Sequence, residues 1–121
     1  MSFAVSDSVS HVLAAALDGV SLRQRVIADN IANVDTPGFR ATSVDFETQL
    51  RAAIDDGSVQ QGSAAVTATT SPTDTPVGAN GNNVDLRKET MAAVQSQFQY
   101  QILTRAVTDR FNLVKTAATG M

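Results

Sequence analysis

The chain contains no cysteine. That excludes disulfide cross-links and thiolate metal sites, and it fits a protein that works outside the cytoplasm without oxidative folding. Aromatic residues are scarce, at 5% of 121 residues, and alanine and valine supply much of the 43% hydrophobic content. At about 25 cal/mol per Å2 of buried apolar surface, a core of such small side chains barely offsets chain entropy. One small domain is the most this length supports, and self-association or a partner helix would supply the missing burial. Positive charge is in the minority: 9 Lys and Arg against 12 Asp and Glu leave a net charge of −3, and the pI is about 4.8. Phosphate binding needs a basic face, so nucleic acid is not an expected partner. No basic residue precedes Arg23, which predicts no cleavable signal peptide. If the protein leaves the cytoplasm, it does so by a route that does not read a Sec signal. The apolar run Val12 to Leu17 is far too short to span a bilayer, so membrane insertion is not expected.

Catalytic chemistry is equally sparse. His11 is the single histidine, with no acidic residue three or four positions after it, and it reads as a surface residue of a helix. Asp55-Asp56-Gly57 lacks the alternating carboxylates and closing glutamate of a calcium loop. No Ser-His-Asp set can be assembled, and no glycine-rich phosphate loop precedes a helix. No catalytic, cofactor-binding or metal-binding residue is therefore assigned. The run Gly78 to Asn83 reads as turn-forming, with Asn82 and Asn83 placed to help cap a following helix.

What is present is organised as helix, variable middle, helix. Residues 1–39 comprise a long helix, from about Asp7 to Asp35, and a turn. Leu13, Leu17, Val20, Ile27, Ile31 and Val34 recur at steps of three, four or seven, with Gln24 at the missing position. This is the spacing of a helix packed against others along its length. Ser6 or Asp7 is the expected N-cap, and Gly19 marks close packing or a bend, because glycine in mid-helix costs about 1 kcal/mol relative to alanine. Thr36-Pro37-Gly38-Phe39 fits a type II turn, and Thr36, preceding proline, is pushed out of the α region.

Residues 40–56 read as an extended piece, Arg40 to Val44, and a short helix capped by Ser43 or Asp45, with Phe46, Leu50 and Ile54 on one face. Residues 57–83 are rich in Gly, Ser, Thr, Ala and Asn and are broken by Pro72 and Pro76; they read as a flexible loop held out from the helices. Residues 84–121 form a second long helix. Tyr100, Leu103, Val107, Phe111, Val114 and Ala118 make one stripe; Met91, Val94, Phe98 and Ile102 make an adjoining one. That face is wider than a single partner helix requires, and apolar surface left in water usually marks an interaction site. The expected fold is mainly α, with two long terminal helices pairing as a coiled-coil-like hairpin.

Asn30-Ile31-Ala32-Asn33 followed by Asp35-Thr36-Pro37-Gly38-Phe39 closely resembles the N-terminal signature of bacterial flagellar axial proteins, the rod and hook family. Val44-Asp45-Phe46 after the turn, and Gly81 to Glu89 leading to Gln99-Tyr100-Gln101, are similar to the short proximal-rod members of that family. The aromatic after the glycine is often Tyr in the family and is Phe39 here, which keeps the ring and loses a hydroxyl. The resemblance implies an assembly motif of Asn30, Ile31, Ala32, Asn33, Thr36, Pro37, Gly38, Phe39, Val84, Asp85 and Tyr100. It implies a non-enzymatic structural subunit that polymerises through its terminal helices into a hollow shaft. The implied partners are itself, other rod subunits, the protein joining rod to membrane ring, and the flagellar type III export apparatus. The competing readings are a non-polymerising helical adaptor or secretion-linked protein, or another rod subunit such as rod protein C.

Overall fold

The computed structural model describes residues 3–62 and 68–120, with side chains placed from residue 7 onward. The elements run α1 (Phe3–Ala32), β1 (Thr42–Asp45), α2 (Glu47–Asp55), β2 (Thr69–Pro72) and α3 (Leu86–Thr119). At 1.5 Å per residue, α1 is about 45 Å long and α3 about 50 Å. The protein is mainly helical, and its two long helices lie side by side. They run antiparallel: Gln24 meets Gln97, Arg23 meets Gln99, and Leu13 and Leu17 face Val107, Phe111 and Val114.

Several boundaries differ from those read in the sequence. The helix is already formed at Phe3, so Ser6 and Asp7 stand inside it and neither is its N-cap. No Pro or Gly interrupts residues 3–6, and nothing there stops the helix from extending. Its other end closes at Ala32 rather than Asp35. Asn33 N–H reaches both Asp29 and Asn30 carbonyls, and Val34 N–H reaches Ile31; such tightening is usual in a last turn. The second long helix starts at Leu86, with Asp85 as N-cap accepting from Lys88 N–H at 3.2 Å.

The core is small. Ala16 and Val20 of α1 pack on Val44 and Phe46, with Leu22, Val26, Leu50, Ala68 and Leu103 around them. Gly19 is what lets Phe46 in: a β-carbon built on Gly19 would fall within the Phe46 ring. The face of α1 that carries this layer runs through Ala16, Gly19, Val20, Arg23, Val26 and Asn30, where Gly19, Arg23 and Asn30 interrupt the apolar pattern. Ile54, expected on the same face as Phe46 and Leu50, stays exposed near the end of α2.

β1 and β2 pair antiparallel, with Thr42 opposite Pro72 and Asp45 opposite Thr69. Residues 69–72 of the Gly/Ser/Thr-rich middle are thus tied to the chain leaving the first helix. On α3, Glu89 and Ser96 are buried and Leu103 and Arg110 partly buried. These four positions keep a seven-residue interval, the repeat of a helix seam, but only one of them is aliphatic. Ser96 is fully buried and its hydroxyl has no hydrogen-bond partner, so it serves the seam by being small.

Candidate assembly joint

The turn after α1 is held by side-chain amides standing in for backbone. Asn30, 1% exposed, donates from Nδ2 to the Thr42 carbonyl at 2.8 Å and accepts from Thr42 N–H at 3.2 Å. One side chain thereby satisfies both backbone groups of the first β1 residue, as a neighbouring strand would. Asn33 donates from Nδ2 to the Asp29 carbonyl at 2.8 Å, a second bond to the acceptor its own N–H meets at 3.1 Å, and its Oδ1 accepts from the Thr36 hydroxyl at 3.1 Å. Phe39 N–H closes the turn on the Thr36 carbonyl at 3.2 Å. Gly38 has φ +76°, the left-handed value that the third position of a type II turn requires. Ile31 and Val34 are half-buried, and Ala32, Thr36 and Pro37 are exposed.

A second segment, distant in sequence, completes the joint. Asn82 Nδ2 donates to the carbonyls of Asn33 and Thr36, both at 2.8 Å. Gly38 N–H donates to the Asn80 carbonyl at 2.9 Å, and Gly81 lies so close to Gly38 that a β-carbon on it would stand 3.2 Å from the Gly38 Cα. Asn83 Oδ1 accepts from Ala41 N–H at 2.6 Å, while the Asn83 carbonyl accepts from the Thr75 hydroxyl at 2.8 Å. Thr73 N–H takes the Ala41 carbonyl at 3.1 Å. Asn82 and Asn83 are buried, and buried amides are tolerated because they are hydrogen-bonded. The run Gly78–Asn83, read in the sequence as turn-forming with Asn82 and Asn83 near a helix cap, is therefore half of the joint. Asn82 also accepts from Val84 N–H at 2.8 Å, which leads the chain into α3.

The second cluster centres on Arg23, which sequence reasoning noted only as the first basic residue. Its guanidinium donates to both Glu47 carboxylate oxygens at 2.9 and 2.5 Å, to the Val44 carbonyl at 2.8 Å and to Gln99 Oε1 at 3.2 Å. It also lies 4.8 Å from the Phe46 ring centroid, within range of a cation–π contact. A planar fork suits such a bidentate pair. Arg23 thus ties α1 to β1, α2 and α3 at one point. The hydrogen bonds from Arg23 hold the Glu47 carboxyl below its usual range, against a smaller opposing effect of burial. No periodicity pattern would have found this residue; its signal is an arginine at a helix position otherwise facing the core.

The other expected positions are distributed unevenly. Val20 and Ile27 are buried, while Leu13 and Leu17 line a groove against Val107, Phe111 and Val114. Leu103 packs at the core margin, and Tyr100 and Asp85 are exposed. Met91, Val94, Phe98 and Ile102 face outward. His11 is not the plain surface residue expected: Nδ1 lies 3.0 Å from the Gln60 carbonyl, which it meets as donor, and its ring packs on Gly62. Among the described residues no group of three or more His, Cys, Asp or Glu is placed to hold a metal ion, and no helix is long and apolar enough to cross a membrane.

Paired long helices around an asparagine-locked turn define a class: a mainly α-helical protein whose special feature is a joint. The family described as Flagella basal body rod protein matches residues 12–40, which span most of α1 and the turn. Flagellar basal body rod protein FlgB of Bacillus subtilis is 34% identical over 117 residues, covering 87% of this chain and 88% of its own length. FlgB of Borreliella burgdorferi is 32% identical over 116 residues, covering 81% and 86% respectively. FlgB of Escherichia coli is 33% identical over 103 residues, covering 70% and 74%. The chain belongs to the FlgB family of flagellar basal body rod proteins. It is accordingly a component of the flagellar rod, with a structural role in motility.

Proposed function

We propose that this chain is a non-enzymatic building block of the proximal rod, polymerising through its terminal helices into a hollow shaft. The shaft transmits torque and surrounds the export channel. The observation that carries the reading is the contrast between two regions of one molecule. The joint at 29–42 and 73–83 is satisfied within the monomer, whereas one side of α3 presents large apolar side chains to solvent. Such a face is stabilised by a neighbouring molecule.

In this reading the seam of Leu13, Leu17, Val20, Ile27, Ile31 and Val34 with Leu103, Val107, Phe111 and Val114 forms the inner helical layer. Asn30, Ile31, Ala32, Asn33, Thr36, Pro37, Gly38 and Phe39, with Val84 and Asp85, set the angle at which the chain leaves it. Tyr100 stands at the margin of that seam. The partners are other copies, other rod subunits and the protein joining rod to membrane ring. Delivery is through the flagellar type III export apparatus.

Deleting the gene and imaging detergent-extracted basal bodies tests the reading. Membrane rings without a rod, with swimming restored by the intact gene, are expected. Normal rods in the deletion strain would replace the reading with that of a non-polymerising helical adaptor.

A further inference from the structure

Helix α3 carries two apolar surfaces, and they lie on opposite sides. The first is a groove between α1 and α3. Leu13 and Leu17 on one wall and Val107, Phe111 and Val114 on the other, with Arg110 among the latter, bound about 330 Å3. This groove continues the intramolecular seam that Ala16, Val20 and Leu103 close further along. The second surface is the stripe Met91, Val94, Phe98 and Ile102, whose residues are 61%, 55%, 61% and 67% exposed. At about 100° per residue, Phe98 and Val107 stand about 180° apart around the helix. The groove opens between α3 and α1, so the stripe points away from α1.

The stripe's surroundings are those of an interface core. No charged residue lies between Glu89 and Arg105, and Gln95, Gln97, Gln99 and Gln101 fill the intervening positions. Depletion of charge around large apolar side chains is the compositional mark of a buried contact. A groove between two helices accepts a third helix whose anchors fall at positions i, i+3 and i+7. Met91, Val94 and Phe98 have that spacing, with Ile102 one turn further on. The chain therefore contains both a groove and a helix surface of the form that fills it.

We propose that the groove of one copy receives the Met91–Ile102 stripe of the next copy, a head-to-tail contact between identical chains. The proposal rests on the rod-subunit reading above and names the surfaces through which it is realised. Because the two surfaces occupy opposite sides of one helix, every contact leaves a free groove at one end and a free stripe at the other. Such an association is heterologous and continues past the dimer, into a ring or an open series, whereas a two-fold contact between like surfaces closes at a dimer. Four partly exposed side chains bury only a few hundred Å2 per partner, against roughly 800 Å2 in a stable interface of standard size. A single contact is therefore weak, and assembly gains from repetition. The free chain is monomeric when dilute and grows with concentration.

Two variants of the full chain test this by sedimentation velocity over a wide concentration range. Phe98→Glu disables the stripe and leaves the groove; Phe111→Glu disables the groove and leaves the stripe. Both residues are more than half exposed, and unchanged helical circular dichroism verifies that each variant folds. The native chain is expected to form a concentration-dependent series beyond the dimer. Each variant alone is expected to remain monomeric. An equimolar mixture is expected to form a dimer and stop there, because one good groove meets one good stripe. A variant that dimerises alone as well as the native chain would overturn the head-to-tail contact and leave the rod assignment standing. A native chain still monomeric at the highest concentration would overturn a second copy as the occupant. The basal-body images decide the rod assignment independently in either case.

Discussion

Replacing Gly19 by alanine should destabilise the protein, although the same change in an isolated helix would do the opposite. Alanine is favoured over glycine in a helix interior by about 1 kcal/mol. Against that gain stands Phe46, whose ring occupies the space an added methyl would take. The three ring atoms nearest that methyl, Cγ, Cδ1 and Cδ2, lie at the attached end of the side chain, so a small rotation does not clear it. Phe46 is 4% exposed and packed among Ala16, Val20 and Val44. Forcing an extra carbon into such a site costs about 2–3 kcal/mol, leaving a net loss of about 1–2 kcal/mol. With an m-value of about 1.5 kcal/mol/M in urea, the unfolding midpoint falls by roughly 1 M. Circular dichroism at the helix band reads the transition, and the control is the same substitution in a Phe46→Leu background. The smaller, more adaptable side chain should recover part of the loss, giving a favourable coupling in the double-mutant cycle. A raised midpoint for Gly19→Ala alone would refute the packing argument, since it would mean that helix propensity alone governs the site.

Three further outcomes follow from the joint and the Arg23 cluster. Asn83→Ala removes the acceptor for the buried Ala41 N–H and should cost about 1–3 kcal/mol in urea unfolding; an exposed control such as Thr70→Ala should change stability by less than about 0.5 kcal/mol. Gly38→Val places a β-branched residue at φ +76° and should cost at least about 1–2 kcal/mol through backbone strain, with reduced swimming in a complementation assay; unimpaired stability and motility would remove the turn from the joint. Glu47 has its carboxyl pKa lowered from the usual 4.5, chiefly by Arg23, so the Arg23–Glu47 pair contributes stability above pH about 4.5 and loses it as pH falls through the folded value. Urea midpoints measured from pH 6 down to pH 3 should therefore drop more steeply for the native chain than for Glu47→Gln, and parallel curves would show that the pair contributes nothing.

Much of the fold was legible before any coordinates, and for a local reason. The heptad spacing of Leu13 to Val34, the apolar positions of α3, and the restriction that Pro37 places on Thr36 are properties of neighbouring residues. The glycine needed at position 38 is likewise visible in four consecutive residues. Family membership was legible in the same stretch, because the signature from Asn30 to Phe39 is contiguous. Even Gly19 stood out as a site of close packing or a bend, though the sequence did not choose between them or say what packs there.

What remained hidden depends on residues far apart in the chain. Asn82 and Asn83 sit in a run whose composition says turn and, at most, helix cap, whereas their distant partners are Asn33, Thr36 and Ala41. A buried asparagine has the same local signature as an exposed one until its partners are brought to it. The same holds for Arg23, a polar residue on the inward face of α1 whose place is set by Glu47, Val44 and Gln99. The α3 seam also escaped pattern reading, since Glu89 and Ser96 are buried while Met91 and Phe98 are exposed. Helical periodicity reports that a face is apolar but not which neighbour covers it. The sequence by itself determined two long helices, the turn between them and the β1 segment, and the family. Only the tertiary structure decided which amides lock that turn and which apolar stripe is left for another molecule, because both are settled by contacts across the fold rather than along the chain.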